Sequence, residues 1–283
     1  MEARVGETFW KRVIVFYIPL LMFLVIVLFP FYWMLIASIK PDQELYTIRM
    51  SPFLVREPTL KHWIFLFKET LFARWAWNTF FIATVSTLIS LFCGVLAGYA
   101  LSRLKFFGST TIGVSIFVTY LVPPTLLFIP LASVIANLNL LDTPWALILS
   151  YPTILVPFCT WLLMGYFKTI PKELEECARI DGATRFQAFY KIILPLATPG
   201  ILSAGIFAFT LSWNEFLFAL VFLSTPEFKT ISVGVISELI RGDTFFWGSL
   251  MAGGLFGSIP IAIIYSFFVD YYVSGLTGGA VKG

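Results

Sequence analysis

Six apolar runs constrain this chain more than any other feature: 13–38, 77–102, 111–136, 145–167, 196–224 and 247–272. Each exceeds the roughly 20 apolar residues that a helix needs to cross a bilayer. In lipid, a run of that length satisfies its own backbone only as a helix. The expected fold is therefore an all-α membrane protein with six transmembrane helices. Composition agrees, because 12% of residues are charged against roughly 25% in soluble domains. A net charge of +3 is too small to suggest nucleic acid binding. The first run follows Arg4, Lys11 and Arg12 and is too long for the apolar core of a signal peptide, so it reads as the first span.

An even number of spans puts both termini on one side, and lysine and arginine counts choose that side. With the termini inside, eleven of these residues are cytoplasmic and eight are not, six of the eight lying in the long 39–76 segment. The rule concerns short loops. There the contrast is clear, with none in 137–144 and two in 225–246. The expected layout has a cytoplasmic segment 1–12, a six-span domain 13–274 and a cytoplasmic tail 275–283. The 39–76 segment, with Pro41, Pro52 and Pro58, reads as an extracytoplasmic subdomain with one or two short helices, such as around Leu60–Lys68. The 225–246 segment, carrying Glu238, Arg241 and Asp243, reads as an ordinary extracytoplasmic loop.

Smaller signals refine this plan. Gly94–Gly98 and Gly253–Gly257 are G-x-x-x-G patterns, whose small residues let helix backbones approach closely. Pro123-Pro124 and Pro130 suggest a kinked third span. Cys93, Cys159 and Cys177 follow no metal or disulfide spacing, and the first two read as small core residues. His62 is the single histidine, so no metal site is expected. No nucleophile–base pair suggests a catalytic residue either.

The polar insert PKELEECARIDGATRFQAFYKIILPLATP, 171–199, lies between the fourth and fifth runs. Pro171 suits the first turn of a helix. Glu173, Glu175 and Glu176 follow, where negative charge favours the helix N-terminus. Asp181-Gly182 breaks the helix, and Thr184-Arg185-Phe186-Gln187 is a capping box that restarts it. Phe186, Phe189, Tyr190 and Ile193 recur at helical spacing as an apolar face. Pro195 and Pro199 close the unit. The expected product is a helix–turn–helix elbow with small residues near its apex, suited to a narrow cleft on another protein. An amphipathic loop lying on headgroups is the alternative.

The run Glu176-Cys177-Ala178-Arg179-Ile180-Asp181-Gly182-Ala183, with Leu194-Pro195, resembles the EAA loop of binding-protein-dependent ABC importer permeases. The pattern there is E-A-A-x-x-D-G-A, and Cys177 is the one departure. Pro30-Phe31-Tyr32-Trp33 through Ser38-Ile39-Lys40, and Ser212-Trp213-Asn214-Glu215-Phe216, resemble the carbohydrate-uptake branch. The tail from Gly275 through Thr277, Gly278, Lys282 and Gly283 looks like that of the MalG-like subunit of maltose-type importers.

The resemblance implies a type I ABC importer permease fold in the bacterial inner membrane. It implies a cytoplasmic coupling helix in which Glu176, Cys177, Ala178, Asp181, Gly182 and Ala183 meet an ATPase subunit. The tail residues Thr277, Gly278, Lys282 and Gly283 would reach the same subunits. Implied partners are a second, MalF-like permease subunit, a dimer of ABC ATPase subunits, an extracytoplasmic solute-binding protein and a sugar-like solute. ATP and magnesium would sit on the ATPase, because this chain has no G-x-x-x-x-G-K-[ST] loop and is expected to bind no cofactor itself.

Glu215 is the one acidic residue well inside a run, and such a charge usually faces a cavity or partner. With Trp213 and Asn214 it is a candidate for the solute path, a packing contact between permease subunits being the alternative. An ion-coupled secondary transporter would more often show repeated halves and several intramembrane charges, and a membrane enzyme would need a catalytic constellation.

Overall fold

The computed structural model describes residues 9–47 and 51–277, with side chains up to residue 269. Among the described residues, four helices are long and apolar enough to cross a membrane: α1 (Phe9–Ile39), α4 (Phe72–Arg103), α7 (Pro144–Thr169) and α13, whose apolar span is Trp247–Val269. Two bent pairs are long and apolar enough only when each is taken as one broken span, which brings the crossings among the described residues to as many as six. One is α5 (Ser109–Tyr120) with α6 (Pro124–Asn137), bent by 97°, and the other is α9 (Arg185–Leu196) with α10 (Thr198–Trp213), bent by 71°. Shorter helices are α2 (Asp42–Tyr46), α3 (Lys61–Lys68), α8 (Glu173–Ile180), α11 (Leu217–Phe222) and α12 (Ile231–Leu239). A two-residue hairpin, β1 (Ile240–Arg241) and β2 (Thr244–Phe245), precedes α13.

Two of the six runs are therefore not single helices. At 12 and 14 residues, α5 and α6 are each too short to cross a hydrocarbon core of about 30 Å. Pro123 causes the break, because it lacks an N–H and sits in an extended conformation (φ −58°, ψ 130°) before α6 restarts at Pro124. Pro130, in contrast, is carried inside α6 without a break. The fifth run, 196–224, is interrupted after Trp213 and resumes at Leu217. The 39–76 segment also ends early, since α4 begins at Phe72.

The chain divides into two compact units. The first combines the described residues up to Thr70 with Val235–Ser258. Here α1 buries only Ile36, Ala37 and Ser38. The segment that follows folds around buried polar groups. The carboxylate of Glu44 accepts the backbone N–H groups of Arg56 and Glu57, and Lys40 Nζ donates to the carbonyls of Ser51 and Pro52. His62 is buried, with Nε2 2.8 Å from the Lys40 carbonyl. It serves as packing and as a hydrogen-bond partner.

The second unit, Leu71–Gly234 with residues from Ile259 onward, centres on α4. One face of α4 carries Asn78, Thr79, Ser86, Ser90, Gly94 and Gly98, all buried. That small-residue seam lets α7 approach closely. A Cβ at Gly94 would lie 2.6 Å from Cys159 Cβ, and one at Gly98 would lie 3.1 Å from Leu163 Cβ. Cys159 is accordingly a buried core residue, whereas Cys93, one position from the seam, points outward and is exposed. The core expectation thus fails for Cys93, which lies on the face of α4 turned away from α7.

The seam carries a test. Gly94→Ala and Gly113→Ala gain the same helix propensity, about 1 kcal/mol. At Gly113 the added methyl meets only Met164 Sδ at 3.6 Å. At Gly94 it meets backbone atoms of Cys159 and Thr160 at 3.2 Å as well as the Cys159 Cβ. Overpacking of this kind costs about 1–3 kcal/mol. Gly94→Ala is expected to lower the unfolding midpoint in detergent, and Gly113→Ala to leave it level or raise it; equal midpoints would refute close packing at the seam.

The N-terminal end of α4 organises residues 226–231, so the start of the 225–246 segment is no ordinary loop. Trp75 Nε1 donates to the Pro226 carbonyl at 2.7 Å, and Asn78 Nδ2 donates to the carbonyls of Glu227 and Lys229. Thr79 Oγ1 accepts the Ile231 N–H at 2.8 Å. These bonds start α12, which packs Ile231 and Val233 inward. A second clasp is Asp142, whose carboxylate accepts the N–H groups of Ser224 and Thr225 and the Thr225 hydroxyl. The hydroxyl bond, then the amide bonds, hold its carboxyl below the ordinary range. Its contribution to stability is therefore present above the unfolded carboxylate pKa and is lost only in acid, as pH falls through the lowered value.

Candidate functional site

The insert between α7 and α10 is an elbow. Pro171 stands just ahead of the N-cap Lys172, one step outside the first turn, and α8 opens with Glu173, Glu175 and Glu176. Its end is a Schellman motif: the Gly182 N–H bonds the Arg179 carbonyl and the Ala183 N–H bonds the Ala178 carbonyl. Gly182 makes that possible with φ +91°. Thr184 and Gln187 then form the full capping box that starts α9, with bonds of 2.8 and 3.2 Å. A π-helical turn over Phe189–Ile193 and the bend at Ala197 lead into α10, with Pro195 and Pro199 in the first turns of the segments they open.

The root of the elbow is fixed to the second unit's core. Tyr99 donates its hydroxyl to Glu175 Oε1 at 2.8 Å, and its ring lies 4.5 Å from that of Phe189. Ile193 and Ala188 are fully buried. Arg103 ties the end of α4 to the Phe167 and Ile170 carbonyls at the end of α7. The apex is the opposite. Glu176, Cys177, Asp181 and Gly182 are exposed, and Ala178 and Ala183 are half-buried. Ile180 and Phe186 are 84% and 72% exposed. The expected apolar face therefore splits: Phe189 and Ile193 pack inward, while Phe186 and Tyr190 do not. The buried stripe runs through 188, 189, 193 and 197, rotated towards Ala188 and away from Tyr190.

The three candidates 213–215 sit where α10 stops, and their side chains diverge. Trp213 is buried, its ring 5.6 Å from Phe209. Asn214 is exposed, with Nδ2 bonded to the Thr210 carbonyl at 2.9 Å. The Glu215 carboxylate accepts the Phe218 N–H (2.8 Å), the Ala219 N–H (3.1 Å) and the hydroxyl of buried Tyr151 (2.9 Å). It thereby caps α11, satisfying backbone groups that a break inside a membrane would otherwise expose. The Glu215 carbonyl accepts the Ser232 hydroxyl at 3.0 Å, joining the break to α12.

Among the described residues no group of three His, Cys, Asp or Glu side chains is placed to hold a metal ion. Of the tail candidates, Thr277 ends α13, and Gly278, Lys282 and Gly283 lie outside the described residues.

Residues 86–278 match the family model described as binding-protein-dependent transport system inner membrane component, which is more than half of the chain. The chain belongs to this family. Full-length relatives of this inner membrane component extend the match. The inner membrane ABC transporter permease protein YcjP of Escherichia coli (strain K12) is 38% identical over 95% of this chain and 96% of its own length. The trehalose/maltose transport system permease protein MalG of Thermococcus litoralis is 35% identical, covering 98% and 99%. A crystal structure of a bacterial ABC transporter involved in the import of the acidic polysaccharide alginate contains a chain with TM-score 0.79 and 22% identity, covering 95% of this chain and 98% of that one. That likeness establishes the fold, that of type I ABC importer permeases.

As an inner membrane component, the chain is a non-catalytic, multi-pass part of its transporter. The motif pattern pointed to the elbow's apex but not to its root. Tyr99 and Arg103 sit one turn apart at the end of a span, and that placement was their only local signal. Tyr151, the partner of Glu215, lies 64 positions away in sequence and had none.

Proposed function

We propose that this chain is one of two membrane subunits of an ATP-driven importer for a sugar or sugar-like solute. The elbow lies on the cytoplasmic side with both termini, and its apex docks into an ABC ATPase subunit. ATP and magnesium belong to that ATPase dimer. A MalF-like subunit forms the other half of the path, and an extracytoplasmic binding protein delivers the solute. The observation that carries this reading is the contrast within the elbow. Its root is buried and bonded through Glu175 and Phe189, while its apex projects Ile180 and Phe186 into solvent. Exposed apolar residues on a capped, rigid turn are the profile of a docking surface. Push on such an apex moves α4 and α7 through the root, which is how ATPase closure would reach the spans.

The sugar class is supported by relatives whose names include trehalose/maltose transport, sulfoquinovosyl glycerol transport and trehalose transport. On this reading, the solute path includes the break at 213–215. An affinity-tagged form of the full chain, purified from its native membrane, is expected to bring an ABC ATPase and a second permease in stoichiometric amounts. Recovery of the chain alone under the same mild extraction would overturn the reading. The tail is proposed to reach between the ATPase subunits through Thr277, Gly278, Lys282 and Gly283. Deleting 277–283 is expected to cut uptake at least about tenfold while the subunit still inserts, as judged by uptake and immunoblot; undiminished uptake would remove that role.

A further inference from the structure

Behind the elbow, a cavity of about 250 Å³ is walled by the end of α4, by α8 and by the start of α9. Five cationic side chains line it: Arg103, Lys105, Lys172, Arg179 and Arg185. Two carboxylates share it, Glu175 and Glu176, and Glu175 already accepts the Tyr99 hydroxyl. The three ion pairs among the described residues all lie elsewhere, at Asp42 with Lys61 and His62 and at Glu238 with Arg241. Arg103 adds a second, independent sign. Its Nη2 serves the carbonyls of Phe167 and Ile170, but Nε and Nη1 are buried and have no acceptor among the described residues. Buried guanidinium donors without acceptors are costly, and a resident anion would supply what is missing.

We propose that this cavity binds a phosphate group, at the root of the elbow. The charge balance favours an anion, and the donors of arginine and lysine match phosphate oxygens. The cavity is far too small for a protein segment, so it is not the ATPase-docking surface itself, although Glu176 belongs to both. It sits where the last residues of α4 leave the apolar run, so the phosphate of an anionic lipid headgroup and a free phosphate ion both carry the required chemistry. Bound there, phosphate would bridge α4 to both arms of the elbow and stiffen the joint through which the apex moves the spans. The placement at the cytoplasmic leaflet rests on the importer reading above.

The test uses the full chain with its co-purifying subunits in nanodiscs of phosphatidylcholine, with or without phosphatidylglycerol. A third arm adds inorganic phosphate to phosphatidylcholine discs. Lys105→Gln with Arg185→Gln removes two charges whose side chains are exposed and make no ion pair among the described residues. Lys105→Arg with Arg185→Lys keeps both charges. Retained phosphatidylglycerol is counted by native mass spectrometry, and phosphate by phosphorus NMR line broadening. The parent and the charge-keeping variant are expected to bind, and the Gln variant to bind roughly thirtyfold more weakly, the loss expected for two such charges. Preference for phosphatidylglycerol identifies a lipid headgroup, and binding of phosphate alone identifies the free ion. Equal binding by parent and Gln variant in every arm overturns the site. Because binding is read without ATP, a charge-dependent site in a preparation lacking any ATPase would leave this inference standing and sink the importer reading.

Discussion

Gly182→Val is expected to cut ATP-driven uptake by roughly tenfold to a hundredfold, while Gly182→Asn retains most of it. The reason is backbone geometry alone. Gly182 holds φ +91°, and a Cβ there would have nothing within 4 Å. A clash cannot therefore explain any loss. An L-residue in the left-handed region costs roughly 1–2 kcal/mol, and the cost is greatest for β-branched side chains and least for asparagine. Valine would push the turn out of that region and release the two Schellman bonds from Gly182 and Ala183. The chain between α8 and α9 would then leave in another direction, carrying Ile180 and Phe186 off their positions.

Little stability is at risk, because the apex is exposed and the root is held by Tyr99, Phe189 and Ile193. The variant is expected to fold and insert normally. What it loses is the shape presented to the ATPase, and about 1.4 kcal/mol of lost docking energy corresponds to each tenfold. The order Asn, Ala, Val, from most to least active, is the signature of a φ requirement. Solute-stimulated ATP hydrolysis by the Val variant within about twofold of the parent would show that the bend at Gly182 carries no coupling.

The same residues show why parts of this molecule were legible and others were not. Spans can be read because length and hydropathy are local properties, and the elbow because Gly182, Thr184 and Gln187 act on their immediate neighbours. Pro123 marked the bend between α5 and α6 for the same reason. The structure of 226–231 could not be read locally, since Trp75, Asn78 and Thr79, about 150 positions earlier, hold it. Cys93 and Tyr190 were misplaced because periodicity says which residues share a helix face, not where a neighbouring helix covers that face. The break after Trp213 left a trace, a polar Asn214-Glu215 pair before an apolar run, which is how a helix start reads. Within a longer apolar run that trace resembled a functional charge inside one continuous span.

Glu215 therefore has a structural duty that must be separated from any contact with solute. Glu215→Ala would leave the Phe218 and Ala219 N–H groups and the Tyr151 hydroxyl without their acceptor. Each unsatisfied buried group costs about 1–3 kcal/mol, so the three together remove about 3 kcal/mol or more from a stability of about 5–15 kcal/mol. The assembled complex recovered from membranes is expected to fall severalfold. Glu215→Gln should have a smaller effect. Phe218 and Ala219 bond different carboxylate oxygens, so the amide oxygen keeps the Phe218 N–H and the NH2 can donate to the Tyr151 hydroxyl, reversing that bond, while the Ala219 N–H alone loses its acceptor. Assembly of the Gln variant is expected to stay within about twofold of the parent, as measured by gel filtration of the extracted complex. Normal assembly of the Ala variant would show that Glu215 does not support α11. With assembly intact, uptake by the Gln variant isolates the charge itself. A drop there would assign the carboxylate to the solute path, and unchanged uptake would leave it with the capping role alone.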